Sequence, residues 1–198
     1  MKKIQFFAML ALIIAFASAC GKKGPTGPSF EDLIQEGWDA FAQKDYQTAS
    51  QKFTDAKAMD AKKIDAYVGL GWSLFKLGQL DQASVEFAKG ASESEPTADL
   101  YAGWAFTLNA MKQYSLSNVR ADQALDLAPN WQFPYGLPLA ARNLHVLKAE
   151  NYFLIGDFQK ALQEVQILNP AFTADVNTND GLAALAQEIE TLRAGSTG

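Results

Sequence analysis

The side chains that most often carry out chemistry in proteins are sparse in this sequence. It contains one cysteine, Cys20, and one histidine, His145. A single thiol cannot form an intramolecular disulfide or a cysteine zinc cluster, and a single imidazole rules out a multi-histidine metal site. The sequence also lacks the HExxH, GxSxG and GxxxxGK[ST] patterns of zinc proteases, serine hydrolases and nucleotide-binding loops. We therefore predict that the protein is not an enzyme, and we expect no catalytic residue, no metal site and no cofactor.

Composition limits the class of partner. The 198 residues include 17 Lys+Arg and 22 Asp+Glu, which gives a formal net charge of -5. A protein that binds nucleic acid in general would present a basic face, so we expect no nucleic-acid partner. The length suits one compact domain or a short array of repeats.

The first twenty residues have the pattern of an export signal. Lys2 and Lys3 precede an almost wholly apolar run over residues 4–19, which is shorter than the roughly 20 residues that comfortably span a bilayer. A basic start, an apolar run and small residues before a break indicate a secretory signal peptide, predicted here over residues 1–19. An ordinary export signal with a coincidental cysteine, or a retained anchor, is the alternative.

The end of this signal resembles the lipobox of bacterial lipoproteins. The residues are Ala17-Ser18-Ala19-Cys20, although leucine is more typical at the position of Ala17. The resemblance implies cleavage before Cys20, lipidation of its sulfur and nitrogen, and membrane attachment through the lipid. Gly21, in place of aspartate, resembles outer-membrane sorting in enteric bacteria, so we expect an outer-membrane protein that faces the periplasm. Residues 20–29 are rich in glycine and proline and predict a flexible tether.

A period of 34 residues organises the chain after the tether. Shifting the sequence by 34 places aligns residues 67–74 with residues 101–108. A fourth copy follows after ten inserted residues, because Tyr114 and its counterpart Phe158 are 44 residues apart. Several independent series at one spacing indicate a repeat architecture.

Each copy is predicted to be a pair of helices, because small and aromatic residues recur at helical spacing on both sides of a short break. This pattern resembles the tetratricopeptide repeat (TPR) family. The resemblance implies an all-α fold, a right-handed superhelical stack of about four TPR-like helical hairpins. We predict that residues 30–175 hold the repeats, at 30–63, 64–97, 98–131 and 142–175, with an aromatic insertion at about 130–140.

Residues 176–198 are predicted to form a C-terminal capping helix and a tail. Asp180 is a plausible N-cap. Leu182, Leu185, Ile189 and Leu192 form one apolar seam at helical spacing, as expected of a helix that covers the open end of a stack. The alternative is a seam for a partner or for a second copy of the chain.

Titratable residues within the repeats favour structural roles. Glu31, Asp65 and Asp99 recur near the starts of first helices, where a negative charge is favourable, and the alternative is that they form an acidic edge of a groove. His145 falls at a position that tyrosine holds in two earlier copies, so we expect it to be packed or at the surface. The oxygen-rich segment 175–180 lacks the glycine and the terminal glutamate of an EF-hand, and we interpret it as a turn.

An aromatic groove is the predicted partner-binding site. The first helices of a TPR stack line its concave side, where family members usually bind peptides. The positions that match this lining are Trp38, Trp72 and Phe106 in one row, with Phe41 and Phe75 in a second. The alternative is that these rings pack between repeats as core.

The insertion carries Trp131, Phe133 and Tyr135. Three aromatic side chains in a connection are unfavourable in water unless they pack against the protein or bind a partner. One interpretation is a hydrophobic plug between the third and fourth repeats, and the other is a recognition loop.

Together these features predict a lipid-anchored TPR adaptor or scaffold that mediates protein–protein interaction in the bacterial cell envelope. Its expected partners are envelope proteins. In plan it is similar to the TPR lipoproteins of outer-membrane protein assembly and of type IV pilus secretin assembly. The alternatives are an envelope binding module for a small ligand or glycan that uses the aromatic groove, and an export accessory or self-associating scaffold.

Overall fold

A computed structural model describes residues 27–93 and 95–195 of the chain. Within those ranges the secondary-structure elements are all α-helices. The all-α prediction is therefore confirmed. The predicted signal peptide, Cys20 and most of the tether lie outside the described residues. The helices are α1 (Phe30–Ala42), α2 (Tyr46–Met59), α3 (Ile64–Lys76), α4 (Leu80–Glu93), α5 (Ala98–Ala110), α6 (Tyr114–Leu127), α7 (Ala141–Leu154), α8 (Phe158–Leu168) and α9 (Asn179–Ala194).

The first eight helices form four hairpins, each with the same tight turn. One residue of every turn has a left-handed backbone: Lys44, Gly78, Lys112 and Gly156 have φ values of 65°, 73°, 60° and 83°. Glycine adopts this conformation without steric penalty, whereas lysine does so at some cost. The residue after it lies directly before the second helix of the pair. In the first hairpin this residue is Asp45, which caps α2 because its side chain accepts a hydrogen bond from the Thr48 backbone.

Phenylalanine rings that pack on glycines give a physical reason for the 34-residue period. Phe53 of α2 is fully buried against Gly37 of α1 and Gly69 of α3, and Phe87 of α4 packs in the same way on Gly71 and Gly103. A methyl group at Gly37 would come within 2.7 Å of the Phe53 ring. The close approach of the helices therefore depends on these glycines, and the two rings link the first hairpin to the second and the second to the third.

The stack curves with its first helices on the inside. The backbones of α1, α3, α5 and α7 approach one another within 8 Å in succession, whereas in the described part of the chain those of α2, α4, α6 and α8 do not. We call the surface that α1, α3 and α5 present on this side the inner face.

The capping helix covers the end of the stack, as predicted. Leu185, Ile189 and Leu192 are buried, and α9 packs on both α7 and α8. The seam is thus occupied by this chain and not by a partner. The predicted cap residue is wrong by two positions, because Thr178 is the N-cap and accepts a hydrogen bond from the Gly181 backbone.

Candidate protein-binding site

The predicted groove residues lie along the inner face, on three successive first helices. Trp38 and Phe41 are on α1, Trp72 and Phe75 on α3, and Phe106 on α5. Trp72 is fully buried, and Trp38 and Phe41 are 6% and 1% exposed, whereas Phe75 and Phe106 are half-buried. The row that we predicted is therefore in place, but its centre is not open to solvent.

The insertion, residues 130–140, crosses the inner face as a narrow hairpin. Its two sides are joined by hydrogen bonds from the Phe133 amide to the Leu139 carbonyl (2.8 Å) and from the Ala141 amide to the Trp131 carbonyl (2.7 Å). Gly136 turns the chain at the tip with a φ of 78°. A methyl group at this glycine would lie 3.3 Å from the Cα of Ala42, so the tip reaches the end of α1.

The aromatic rings of the insertion pack on the rings of the inner face. Tyr135 stacks on Trp38, with 3.5 Å between ring centroids and 3° between planes. Phe133 lies 4.4 Å from Trp72 and 6.0 Å from both Trp38 and Phe41, centroid to centroid. Phe133 and Trp131 are only 6% and 4% exposed. The insertion thus fills the centre of the predicted groove.

Asp99, at the start of α5, contacts the remaining aromatic residue of the insertion, Trp131. The Trp131 indole donates a hydrogen bond of 2.7 Å to its carboxylate, and the Trp72 indole donates one of 3.0 Å to its backbone carbonyl. Burial raises the pKa of Asp99, while the Trp131 hydrogen bond acts in the opposite direction. Asp99 therefore does more than place a charge at a helix start, in contrast to Glu31, which pairs with Lys63 at the surface.

These contacts correct two expectations from the sequence. The groove is not an open surface, because the insertion covers Trp38, Phe41 and Trp72. The plug does not sit between the third and fourth repeats, because it extends back across the inner face to the first repeat. The role of these residues in partner binding stays a prediction. Gln132, Pro134 and Pro138 are the exposed side of the insertion.

Part of the inner side beyond the insertion is open. A cavity of about 150 Å³ lies between α5, α7 and α9, lined among others by Phe106, Val146, Leu147 and Arg193. Phe106 thus lines a free space between these three helices.

A buried charge network between the third and fourth repeats escaped the sequence analysis. The Lys148 ammonium on α7 lies 2.6 Å from carboxylate oxygens of both Asp122 and Glu164, and His145 contacts Glu164 at 2.8 Å. Burial opposes both charges, but the hydrogen bonds outweigh it, so the pKa of Lys148 is raised and the pKa of Glu164 is lowered. His145 is therefore packed in an ion-pair network, as a structural residue would be.

A second polar cluster lies beside this network. The Asn151 amide is fully buried and donates to Asn118 (2.8 Å) and Ser117 (3.0 Å), while its carbonyl accepts from Asn109 (2.7 Å). The signal for it was present in the sequence, because Asn151 continues a series of buried polar residues, Ser73 and Thr107, at one position of the repeat. The buried apolar residues of α7 belong to two clusters, one shared with earlier helices and one shared with α8 and α9.

Residues 27–93 and 95–195, which the structure describes, contain no group of three or more histidine, cysteine or acidic residues placed to hold a metal ion. Among the helices of the same ranges, none has the length and apolarity that crossing a bilayer requires.

Comparison with known proteins identifies the repeat. The family model described as tetratricopeptide repeat matches residues 40–102. A search of curated proteins gives no match. Among solved structures, the chain is similar to the MamA protein, with a TM-score of 0.61 at 12% identity over 84% of this chain and 85% of that one. It is also similar to YrrB, described as a TPR protein with an unusual peptide-binding site, with a TM-score of 0.60 at 15% identity over 83% of this chain and 76% of that one.

A third similar structure is a tetratricopeptide repeat protein from Parabacteroides merdae, with a TM-score of 0.59 at 14% identity over 85% of this chain and 62% of that one. The fold is therefore a tetratricopeptide repeat stack, and the resemblance predicted from the 34-residue period is confirmed. A fold of this kind indicates a role in protein–protein interaction.

Proposed function

We propose that this protein is a lipid-anchored adaptor of the bacterial cell envelope that binds an extended segment of another envelope protein on its inner face. Lipidated Cys20 would hold it at the outer membrane, facing the periplasm. The partner is a component of an outer-membrane, secretion or pilus complex, and the adaptor contributes binding and no chemistry.

The observation that carries the binding site is the insertion itself. The inner face already accommodates a stretch of chain in which Trp131, Phe133 and Tyr135 contact the helices. A surface that fits one extended aromatic segment has the shape and chemistry to fit another. YrrB, which has the same fold, is described as having a peptide-binding site, and we propose a site of that kind here by analogy.

The anchor is proposed from the sequence of the tether and from the place where the fold begins. Helix α1 starts at Phe30 with a capping box between Ser29 and Asp32. Ten residues from Cys20 to Ser29 therefore separate the lipid from the first hairpin, a reach of at most about 35 Å. Several acyl chains, at about 0.8 kcal/mol for each buried CH₂, would make the attachment close to irreversible.

Site-specific photocrosslinking in intact cells tests this proposal. A photoreactive residue at Gln132, on the exposed side of the insertion, should form an adduct with a discrete envelope protein. The matched control is the same residue at Gln51, which is exposed on α2 on the other side of the stack. We expect the adduct at position 132 and not at position 51.

Three further results bear on the proposal. Incorporation of a palmitate analogue should disappear in Cys20→Ala, and unchanged incorporation would contradict the anchor. Equal adducts at both positions would contradict the binding site. Absence of any protein adduct, together with thermal stabilisation by an envelope glycan, would favour the small-ligand alternative.

A further inference from the structure

We propose that the insertion is a built-in ligand of the inner face, and that a partner binds by replacing it with an extended segment that carries the same pattern of rings. This inference rests on the proposed function and specifies its partner. The segment would present aromatic rings at alternate positions, with an N–H donor on the first.

The contacts of the insertion define what the inner face accepts. Trp38 offers a flat surface on which one ring stacks at 3.5 Å. Trp72 and Phe41 form a pocket for a second ring, which Phe133 fills. The carboxylate of Asp99 accepts one hydrogen bond from an indole at 2.7 Å.

The spacing of these contacts requires extended chain. Residues 131, 133 and 135 face the helices, while residues 132, 134 and 136 are exposed. Alternation with a period of two is the property of extended backbone, because a helix would bring every third or fourth residue to the same side. Proline at 134 and 138 also suits an extended segment and not a helix.

The insertion is attached to the inner face in a way that permits exchange. Its backbone hydrogen bonds, from Phe133 to Leu139 and from Ala141 to Trp131, close the hairpin on itself. Its contacts with the helices include ring packing and the side-chain hydrogen bond to Asp99, and Leu137 and Leu139 pack against the same core. The hairpin can therefore leave the face as a unit without breaking the hydrogen bonds within any helix, and a partner segment with the same rings can restore the ring packing and the hydrogen bond to Asp99.

A synthetic peptide with the sequence of residues 129–140 tests the inference directly. The receptor is the full-length chain in detergent, carrying Trp131→Ser, Phe133→Ser and Tyr135→Ser together, so that its own insertion no longer fills the face. Fluorescence anisotropy of the labelled peptide should show binding at least tenfold tighter than to the wild-type chain. A control peptide with the same three replacements should not bind.

A disulfide provides a second, reversible test. A Cβ built at residue 136 lies 3.4 Å from the Cβ of Ala42, close to the separation of about 3.5–4.5 Å in disulfides. The pair Ala42→Cys and Gly136→Cys, in a Cys20→Ala background, should lock the hairpin onto α1 when oxidised. The locked chain should not bind the peptide, and reduction should restore the weak binding of the wild type. Gly136→Cys alone controls for the strain of a side chain at positive φ.

Several outcomes would overturn the inference. The first is that the triple variant keeps its helical circular dichroism signal but does not bind the peptide, or binds the control peptide equally well. The second is equal binding by the locked and reduced chains. The third is loss of the helical circular dichroism signal, even with saturating peptide, in both the triple variant and the double variant Phe133→Ser/Tyr135→Ser. That loss would show that the insertion is a fixed part of the core. A stable dimer between wild-type chain and triple variant would assign the face to a second copy.

The binding and disulfide experiments use a peptide of known sequence and need no envelope partner. A protein adduct at Gln132 combined with failure of the peptide test would leave the adaptor function intact and refute only the exchange.

Discussion

The Tyr135 ring lies flat on the Trp38 indole, 97 positions earlier in the chain, with 3.5 Å between centroids and 3° between planes. This pair fixes the tip of the insertion to the first hairpin, while the rest of the insertion passes over the second and third. A connection between the third and fourth repeats thereby covers the inner face of the first three. The insertion should consequently be coupled energetically to the first three hairpins.

Replacing Tyr135 by serine should weaken this coupling. Loss of the stacked ring and of its buried area should lower the free energy of unfolding by about 2–3 kcal/mol. The control is Tyr135→Phe, which keeps the ring and should stay within about 0.5 kcal/mol of the wild type. Urea denaturation followed by circular dichroism measures both, and equal stability of the serine and phenylalanine variants would contradict the packing.

Trp72 should behave as a core residue. It is fully buried and its indole donates to the Asp99 carbonyl, so Trp72→Ala should lower the free energy of unfolding by about 3–5 kcal/mol. Phe75→Ala, at a half-buried position on the same helix, should have less than half this effect. Thermal unfolding compares the two, and a Trp72→Ala chain as stable as the Phe75→Ala chain would contradict the burial of Trp72.

The hairpin turns should respond in opposite directions to substitution at equivalent positions. Lys44 and Gly78 have φ values of 65° and 73°. Lys44→Gly removes the steric penalty of a left-handed lysine and should stabilise the chain by up to about 1 kcal/mol, whereas Gly78→Ala introduces one and should destabilise it by about 1 kcal/mol. Chemical denaturation measures both changes. Changes of the same sign would refute the shared turn geometry.

The buried carboxylate of Glu164 should make the chain sensitive to acid. Hydrogen bonds from His145 and Lys148 outweigh burial and hold its pKa below the ordinary value of 4.5. A group with a depressed folded-state pKa contributes stability above its unfolded pKa, and this contribution is lost as the pH falls through the folded value. The free energy of unfolding should therefore decrease below about pH 4.5.

Glu164→Gln tests this assignment. The variant should be less stable at pH 7, by about 3 kcal/mol, because Lys148 loses a charged partner. It should also lose part of the acid-induced decrease. Glu190→Gln is the control, since its pair with Arg193 lies at the surface. A pH profile of Glu164→Gln that runs parallel to the wild type would contradict the role of Glu164.

The periodic part of the fold was predictable from the sequence because its contacts repeat. Phe53 and Phe87 meet glycines at the same offsets in successive copies, so each packing arrangement appears in the sequence as a series at 34 residues. The capping helix was predictable for a related reason, since Leu185, Ile189 and Leu192 show a helical seam by themselves.

The closed state of the inner face was not predictable in this way. The contact of Tyr135 with Trp38 occurs once, between a non-repeating connection and a distant helix. Aromatic residues at helical spacing look the same whether a partner or the chain itself covers them. The ion pair of Lys148 with Glu164 has the same character, because it forms only where α7 meets α8.

The position of the insertion on the inner face is the central claim, and a nuclear Overhauser measurement on the wild-type chain tests it without any substitution. With tyrosine and tryptophan selectively labelled, strong cross-peaks should link the ring protons of Tyr135 to the indole protons of Trp38, which stack at 3.5 Å. The Trp131 indole N–H should also be protected from exchange by its bond to Asp99. Absence of the cross-peaks, with Tyr135 at random-coil chemical shifts, would show an open inner face and contradict the account.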